Sequence, residues 1–117
     1  MRRDVLKLLV DIRDACEFIR EFASGRTLEE YRTNVMLRSA VERQFEICGE
    51  AMNQLLKIDA SLAASFTEPV QIIAFRHRLI HGYASISEQL VWDVVRDNMP
   101  ILLNEVRALL EAAEGSG

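Results

Sequence analysis

The chain of 117 residues contains little that interrupts helices, with only five glycines and two prolines. Long loops are therefore expected to be few. No segment alternates apolar and polar residues with the period of two that a half-buried strand requires. No apolar run approaches the ~20 residues of a membrane-spanning helix. Charged residues interrupt the segment that follows Met1, so we do not expect a signal peptide.

Cysteine and positive charge are also scarce. Cys16 and Cys48 lie in apolar helical patterns without any CxxC pairing, which predicts buried thiols in a reducing, cytoplasmic compartment. The formal net charge is −4, whereas a protein that coats nucleic acid through its overall charge would be basic. The composition leaves room only for a local basic site.

Apolar residues recur at spacings of three and four throughout the chain, and this predicts an all-α fold. We expect an up-down bundle of four to five mostly antiparallel helices. The predicted helices cover residues 2–23, 34–57, 68–82 and 85–113, and residues 58–67 form a loop with at most one helical turn.

Several local signals set the boundaries. Gly25 is placed to end the first helix in a left-handed conformation. Thr27 and Glu30 form a capping box, which opens either a short turn or the second helix itself. Ser85 and Glu88 repeat that spacing before the last helix, and Pro100 must kink or divide that helix. Gly49 lies inside a helix at a cost of ~1 kcal/mol relative to alanine, which suggests the close approach of another helix.

One short stretch contains the residues best suited to chemistry: Arg76, His77, Arg78, His81 and Tyr83. Both histidines of the chain and one of its two tyrosines lie here. A histidine can accept a proton near neutral pH, and an arginine presents a fork of donors that suits phosphate. Cleavage of a phosphodiester needs a proton acceptor for the nucleophile and a cation for the developing charge. Arg76 and His81 are the candidate catalytic residues, and His77 and Arg78 are candidates for binding the phosphate backbone of the substrate.

The spacing of the two candidate catalytic residues raises a geometric problem. Residues five apart on a straight helix point about 140° away from each other around its axis. Arg76 and His81 therefore converge on one phosphate only if the helix loosens before Gly82, or if a second copy of the chain completes the site. Tyr83 is expected to border the site.

The segment Arg76-x4-His81-Gly82-Tyr83 resembles the R-x4-H-x-Y motif of HepT-like HEPN proteins. Two further stretches are similar to that family, residues 40–51 in the second long helix and residues 91–95 with Pro100 in the last helix. The resemblance covers residues 4–110.

We expect one HEPN-like helical domain over residues 1–113, followed by a flexible tail over the glycine- and serine-containing residues 114–117. The resemblance also implies a metal-independent endoribonuclease toxin, without a cofactor, that acts as a symmetric homodimer with paired motifs at the interface. The usual partner of such a toxin is an antitoxin, a minimal nucleotidyltransferase called MntA. The resemblance implies that this enzyme neutralises the toxin by adenylylating the motif tyrosine, here Tyr83.

Other interpretations remain open at this stage. The chain can be a non-catalytic HEPN module that presents a nucleotide or substrate to a nucleotidyltransferase, or a purely structural helical dimer. His77 and His81 have the spacing of a two-histidine metal site, although no third ligand is apparent nearby. Glu46 and Glu50 either form a solvated face with salt bridges to arginines such as Arg43, or support Arg76. Trp92 and Phe45 are expected to pack in the core or at a dimer contact.

Overall fold

The computed structural model describes residues 1–81 and 86–115. Within these residues it contains helices and no strand, which confirms the all-α prediction. The helices are α1 (Arg3–Ala23), α2 (Leu28–Thr33), α3 (Val35–Ile58), α4 (Pro69–His81), α5 (Glu88–Asp93) and α6 (Met99–Gly115), with a 3-10 turn over Ala60–Ser65. None of the helices in the described residues is long and apolar enough to cross a membrane.

The core forms around α1 and α3, which pack along each other, while α6 packs on α1 and α4 packs on α3. Each long helix buries the apolar stripe that its sequence predicts, because residues three and four apart share one face. Complete burial of a leucine or isoleucine contributes ~1.5–3 kcal/mol. Cys16 and Cys48 meet in this core as free thiols, with their sulfur atoms 3.9 Å apart.

The predicted signals between α1 and α3 are confirmed. Gly25 has a φ of 72°, in the left-handed region that glycine adopts without strain. The Thr27 hydroxyl accepts a hydrogen bond from the Glu30 amide at 3.1 Å, and the Glu30 carboxylate accepts one from the Thr27 amide at 3.3 Å. This capping box opens a separate six-residue helix, α2. Asn34 then caps α3, since its side chain accepts from the Leu37 amide at 3.0 Å.

The predicted start of the last helix was wrong. Its first helical residue is Glu88, and the cap is Ser87, whose hydroxyl accepts from the Leu90 amide at 3.1 Å. Residues 82–85, including the predicted cap Ser85, lie outside the described residues. The sequence Ser-x-Ser offers two caps two residues apart, and the later one caps α5, which buries Val91 and Trp92.

Pro100 divides the last helix as predicted. A π-helical turn over Val94–Asn98 separates α5 from α6, and the Met99 amide donates to the Val94 carbonyl across it. This wider turn precedes the residue that has no amide hydrogen to donate. The α6 helix continues to Gly115, two residues beyond the predicted end, and residues 116–117 lie outside the description.

The aromatic residues pack as expected. Trp92 is buried in the core against Tyr31, with ring centroids 5.2 Å apart. Phe45 is buried on α3 and meets Phe75 of α4 edge to face, also at 5.2 Å. The latter pair attaches the helix with the sequence motif to the core.

Candidate active site

The helix α4 begins at Pro69 and runs without interruption through His81. Its first turn is tied to the π-helical turn, because Asn98 donates to the Glu68 carboxylate at 2.7 Å. It packs chiefly on α3, and none of its residues is fully buried. Its apolar side chains are only partly covered, and Ile80 is exposed. A thirteen-residue helix is marginal without tertiary packing, so α4 depends on its packing against α3.

Arg76 emerges from α4 directly onto the backbone of α3. A β carbon added to Gly49 would overlap the β carbon of Arg76 and would lie 3.1 Å from its γ carbon. The predicted close approach at Gly49 is therefore confirmed, and its partner is Arg76. Gly49 is buried inside α3, and the missing side chain is what allows the two helices to meet.

The Arg76 side chain is held by the residue after this glycine. Its Nη2 atom lies 3.1 Å from Oε2 of Glu50, with 30% of the Arg76 side chain and 42% of the Glu50 side chain exposed. The other carboxylate oxygen, Oε1, accepts a hydrogen bond from Gln54 Nε2 at 2.9 Å. Both oxygens of Glu50 are thus engaged, one by α4 and one by the next turn of α3.

The two glutamates of α3, Glu46 and Glu50, have different partners in the structure. Glu46 pairs with Arg43 at 3.4 Å, which is the salt bridge of a solvated face. Glu50 pairs with Arg76, which is the support for the motif arginine. The sequence could not choose between them, because the two glutamates lie four residues apart on one side of α3 and the crossing of α4 decides which of them meets Arg76.

Arg76 lines a cleft of about 430 Å³ between α1, α3 and α4. Three ion pairs line this cleft: Lys7 with Asp11, Arg43 with Glu46, and Arg76 with Glu50. The contribution of Lys7 was not expected from the sequence, since α1 is distant in the chain. Each of these three cations has a carboxylate partner, and Asp4 adds a fourth carboxylate to the lining, so the cleft carries no excess positive charge.

His77 and His81 lie on another side of α4. Their rings are adjacent, with centroids 4.6 Å apart and planes tilted by 51°, and both residues are exposed. Since α4 stays helical through His81, that residue points about 140° away from Arg76 around the axis. One copy of the chain therefore does not bring Arg76 and His81 together within α4.

Arg78, Tyr83 and the possible metal site are the remaining predictions for this segment. Arg78 is exposed on α4 beside the histidines. Tyr83, the candidate modification site, lies outside the described residues. Among the residues that the structure describes, no group of three or more histidine, cysteine or acidic side chains is arranged to hold a metal ion.

Sequence reasoning missed a polar pocket between α2, α3, α4 and α5. A cavity of about 120 Å³ is lined by Tyr31, Arg38, Glu42 and Glu88, together with Arg78 of α4. The Tyr31 hydroxyl is fully buried and has no hydrogen-bond partner in the described part of the chain. Burial raises the pKa of Tyr31, and desolvation likewise raises the pKa of Glu42. The six residues of α2 are too few to show an apolar stripe, so the burial of Tyr31 had no clear signal.

Comparison with known proteins identifies the family of this chain. The family profile described as Ribonuclease HepT-like matches residues 12–109. A protein of Methanocaldococcus jannaschii named "Putative RNase MJ1380" is 31% identical over 105 residues, which are 90% of this chain and 95% of the relative. "Probable ribonuclease HepT" of Thermococcus cleftensis is 28% identical over 109 residues, which are 93% of this chain and 98% of the relative. No solved structure gives a significant match.

The chain therefore belongs to the HepT-like ribonuclease family. The names of its relatives support ribonuclease activity of the HEPN type in general terms. The match over residues 12–109 confirms the resemblance that the sequence shows over residues 4–110.

Proposed function

We propose that this protein is a metal-independent endoribonuclease toxin that acts as a homodimer, with Arg76 and His81 as its catalytic residues. Its partner in this proposal is a nucleotidyltransferase antitoxin of the MntA kind. The family supports the reaction class, and the geometry of α4 supports the assembly and the residue roles.

The observation that carries the proposal is the arrangement of α4. Arg76 and His81 are the two groups that phosphodiester cleavage needs, yet they point to different sides of a regular helix. The same helix is covered by α3 on one side and keeps Ile80 exposed. A second copy placed against α4 across a two-fold axis accounts for both features, because it covers the helix and brings one copy's Arg76 to the other copy's His81.

In the proposed step, the His81 imidazole takes the proton of a ribose 2′-hydroxyl. The 2′ oxygen then forms a bond to the adjacent phosphorus, and the bond from phosphorus to the 5′ oxygen breaks. The guanidinium of Arg76 stabilises the negative charge of the phosphorane. The departing 5′ oxygen takes a proton from solvent, so the products carry a 2′,3′-cyclic phosphate and a 5′-hydroxyl. His77 and Arg78, both exposed on α4, hold the RNA backbone.

The proposed control acts on Tyr83. The partner enzyme, using ATP, transfers AMP to the tyrosine hydroxyl and releases pyrophosphate. Tyr83 follows His81 by two residues, so each AMP adds a negative phosphate close in sequence to Arg78 and Arg76. That phosphate competes with RNA for the same cations.

The reaction is tested by incubating the purified chain with RNA in excess chelator and analysing the ends of the products. We expect cyclic phosphate and 5′-hydroxyl termini. Arg76→Ala and His81→Ala are each expected to reduce cleavage by ~10²-fold or more while the circular dichroism spectrum stays helical. Cleavage that requires an added metal ion, or that persists in either variant, contradicts the mechanism. Absence of cleavage with intact binding to a nucleotidyltransferase favours the non-catalytic alternative.

The assembly is tested by light scattering. The wild-type chain is expected to have twice the mass of a monomer at micromolar concentration. Ile80→Arg introduces a charge on the exposed side of α4, where it should shift the protein toward the monomer and reduce cleavage. Met36→Arg is the control, because Met36 is 83% exposed at the start of α3 and lines no cavity with α4. A monomeric wild type, or a mass unaffected by Ile80→Arg, contradicts the proposed interface.

A further inference from the structure

We propose that Glu50 is a positioning residue for the catalytic arginine, and that Gly49 and Glu50 together form a seat for Arg76 on α3. The inference rests on the proposed role of Arg76 in RNA cleavage. It assigns to one of the two α3 glutamates a role that the other does not share.

The first support is the path of the Arg76 side chain. Because its β carbon contacts the backbone at Gly49, the side chain leaves α4 already against the surface of α3. The γ and δ carbons of Arg76 also lie within 3.1 Å of a β carbon placed at Gly49, so the side chain continues along α3 at this position. The carboxylate of the adjacent residue, Glu50, then meets the guanidinium at 3.1 Å.

The second support is the way in which Glu50 is itself held. Gln54 lies one turn further along α3 and donates to the Glu50 oxygen that does not face Arg76, at 2.9 Å. The chain of contacts runs from Gln54 to Glu50 to Arg76. A carboxylate held from both sides restrains the guanidinium more than a freely rotating one does.

The ion pair involves one terminal nitrogen of Arg76, Nη2. A guanidinium has five N–H donors in a planar fork, so donors remain for a phosphate oxygen in the cleft. Glu50 therefore orients Arg76 without consuming its capacity to bind a developing negative charge. Preorganised donors of this kind reduce the reorganisation needed at the moment of reaction.

A positioning role and a simple charge effect predict changes in different kinetic constants. Removing a carboxylate from the cleft makes its potential more positive, which favours RNA binding and lowers KM. Removing the group that positions Arg76 lowers kcat, because displacing a catalytic group by about 1 Å can reduce the rate ~10²-fold. Glu46 provides the matched control: it lines the same cleft, has the same charge and pairs with Arg43 instead of Arg76.

The experiment compares Glu50→Gln with Glu46→Gln in steady-state RNA cleavage. Both variants lose one negative charge from the cleft. We expect kcat to fall by ~10-fold or more for Glu50→Gln and to stay within about two-fold of wild type for Glu46→Gln. Gln54→Ala, which leaves the ion pair but removes its outer support, should give a smaller loss of kcat. Equal kcat values for the two glutamate variants overturn the inference.

A second readout does not depend on cleavage. The side-chain N–H signals of Arg76 in an NMR spectrum, assigned by their loss in Arg76→Lys, should shift or broaden in Glu50→Gln and remain unchanged in Glu46→Gln. If wild type cleaves no RNA but this pattern appears, the proposed function fails while the seat for Arg76 stands. If wild type cleaves RNA and the Arg76 signals are the same in both variants, the seat is wrong and the proposed function stands.

Discussion

Gly49 of α3 and Arg76 of α4 are in contact through the backbone of one and the β carbon of the other. This contact makes a prediction for Gly49→Ala that differs from the usual effect of this substitution. At an ordinary helical position, alanine in place of glycine stabilises by ~1 kcal/mol. Here the added methyl group forces α4 away, and overpacking of this kind costs ~1–3 kcal/mol.

We therefore expect Gly49→Ala to lower the melting temperature and to reduce RNA cleavage, since Arg76 moves with α4. Thermal unfolding followed by circular dichroism gives the stability, and the cleavage assay gives the activity. Gly115→Ala is the control, because nothing lies within 4 Å of a β carbon at that position near the end of α6. A Gly49 variant as stable as the Gly115 variant would show that α4 shifts without cost.

The helices were predictable because each long one has a continuous apolar stripe and because the caps are local. Thr27 and Glu30 lie three residues apart, so their capping box could be found from the chain alone. The cap at Ser87 could not, since Ser85 offers the same side chain two residues earlier. Both serines are equally good caps by residue type, so no local spacing decides between them.

The sequence proposes candidate site residues but does not determine how they are arranged. The cluster around Arg76 and His81 stands out by residue type, and the resemblance indicates its reaction class. The pairing of Arg76 with Glu50 depends on how α4 crosses α3, which no local spacing determines. The cleft cation Lys7 comes from α1, far away in sequence, and had no signal.

Glu42 leads to a prediction for stability at different pH. Desolvation raises the pKa of Glu42 in the folded protein, so the folded state binds its proton more tightly than the unfolded state does. The stabilisation that this proton provides is present at acidic pH and is lost as pH rises through the raised pKa. We expect Glu42→Gln to increase the melting temperature at pH 7, with a gain that shrinks as pH falls toward the ordinary range of a glutamate.

The pKa of Glu17 is shifted in the opposite direction from that of Glu42, so Glu17 serves as the control. A hydrogen bond from Arg107 at 2.9 Å lowers the pKa of Glu17, so its contribution to stability is present at neutral pH and is lost on acidification. Glu17→Gln should therefore lower the melting temperature at pH 7, by a small amount because the pair is at the surface. Melting curves of both variants across the acidic range check the signs. A Glu42→Gln gain that grows on acidification would contradict the assignment.

The proposed sharing of the site between two copies predicts complementation. A dimer of Arg76→Ala with His81→Ala contains one site with both wild-type groups and one site with neither. Unfolding and refolding the two inactive variants together should restore about a quarter of the wild-type activity, since half of the dimers are mixed and each has one complete site. Cleavage assays before and after mixing measure the gain. If mixing restores nothing while native mass spectrometry shows mixed dimers, each copy uses its own Arg76 and His81.

The last prediction concerns the proposed control at Tyr83. Co-expression with a nucleotidyltransferase partner should add about 329 Da, or multiples of it, to the intact mass, as covalent transfer of AMP requires. The chain has two tyrosines, and the other one, Tyr31, is fully buried with its ring against Trp92. An enzyme cannot reach the Tyr31 hydroxyl without unfolding the core, so an adduct on tyrosine in the folded protein belongs to Tyr83.

Tyr83→Phe is expected to abolish the adduct and to leave the chain resistant to the partner. Tyr31→Phe is the matched control and should still accept AMP, since it removes only a buried hydroxyl that has no partner in the described residues. The modified protein should cleave RNA far more slowly than the unmodified protein, because the added phosphate competes for the arginines of α4. An adduct that maps to a serine or threonine, or a modified protein that cleaves at the unmodified rate, would remove Tyr83 from this account.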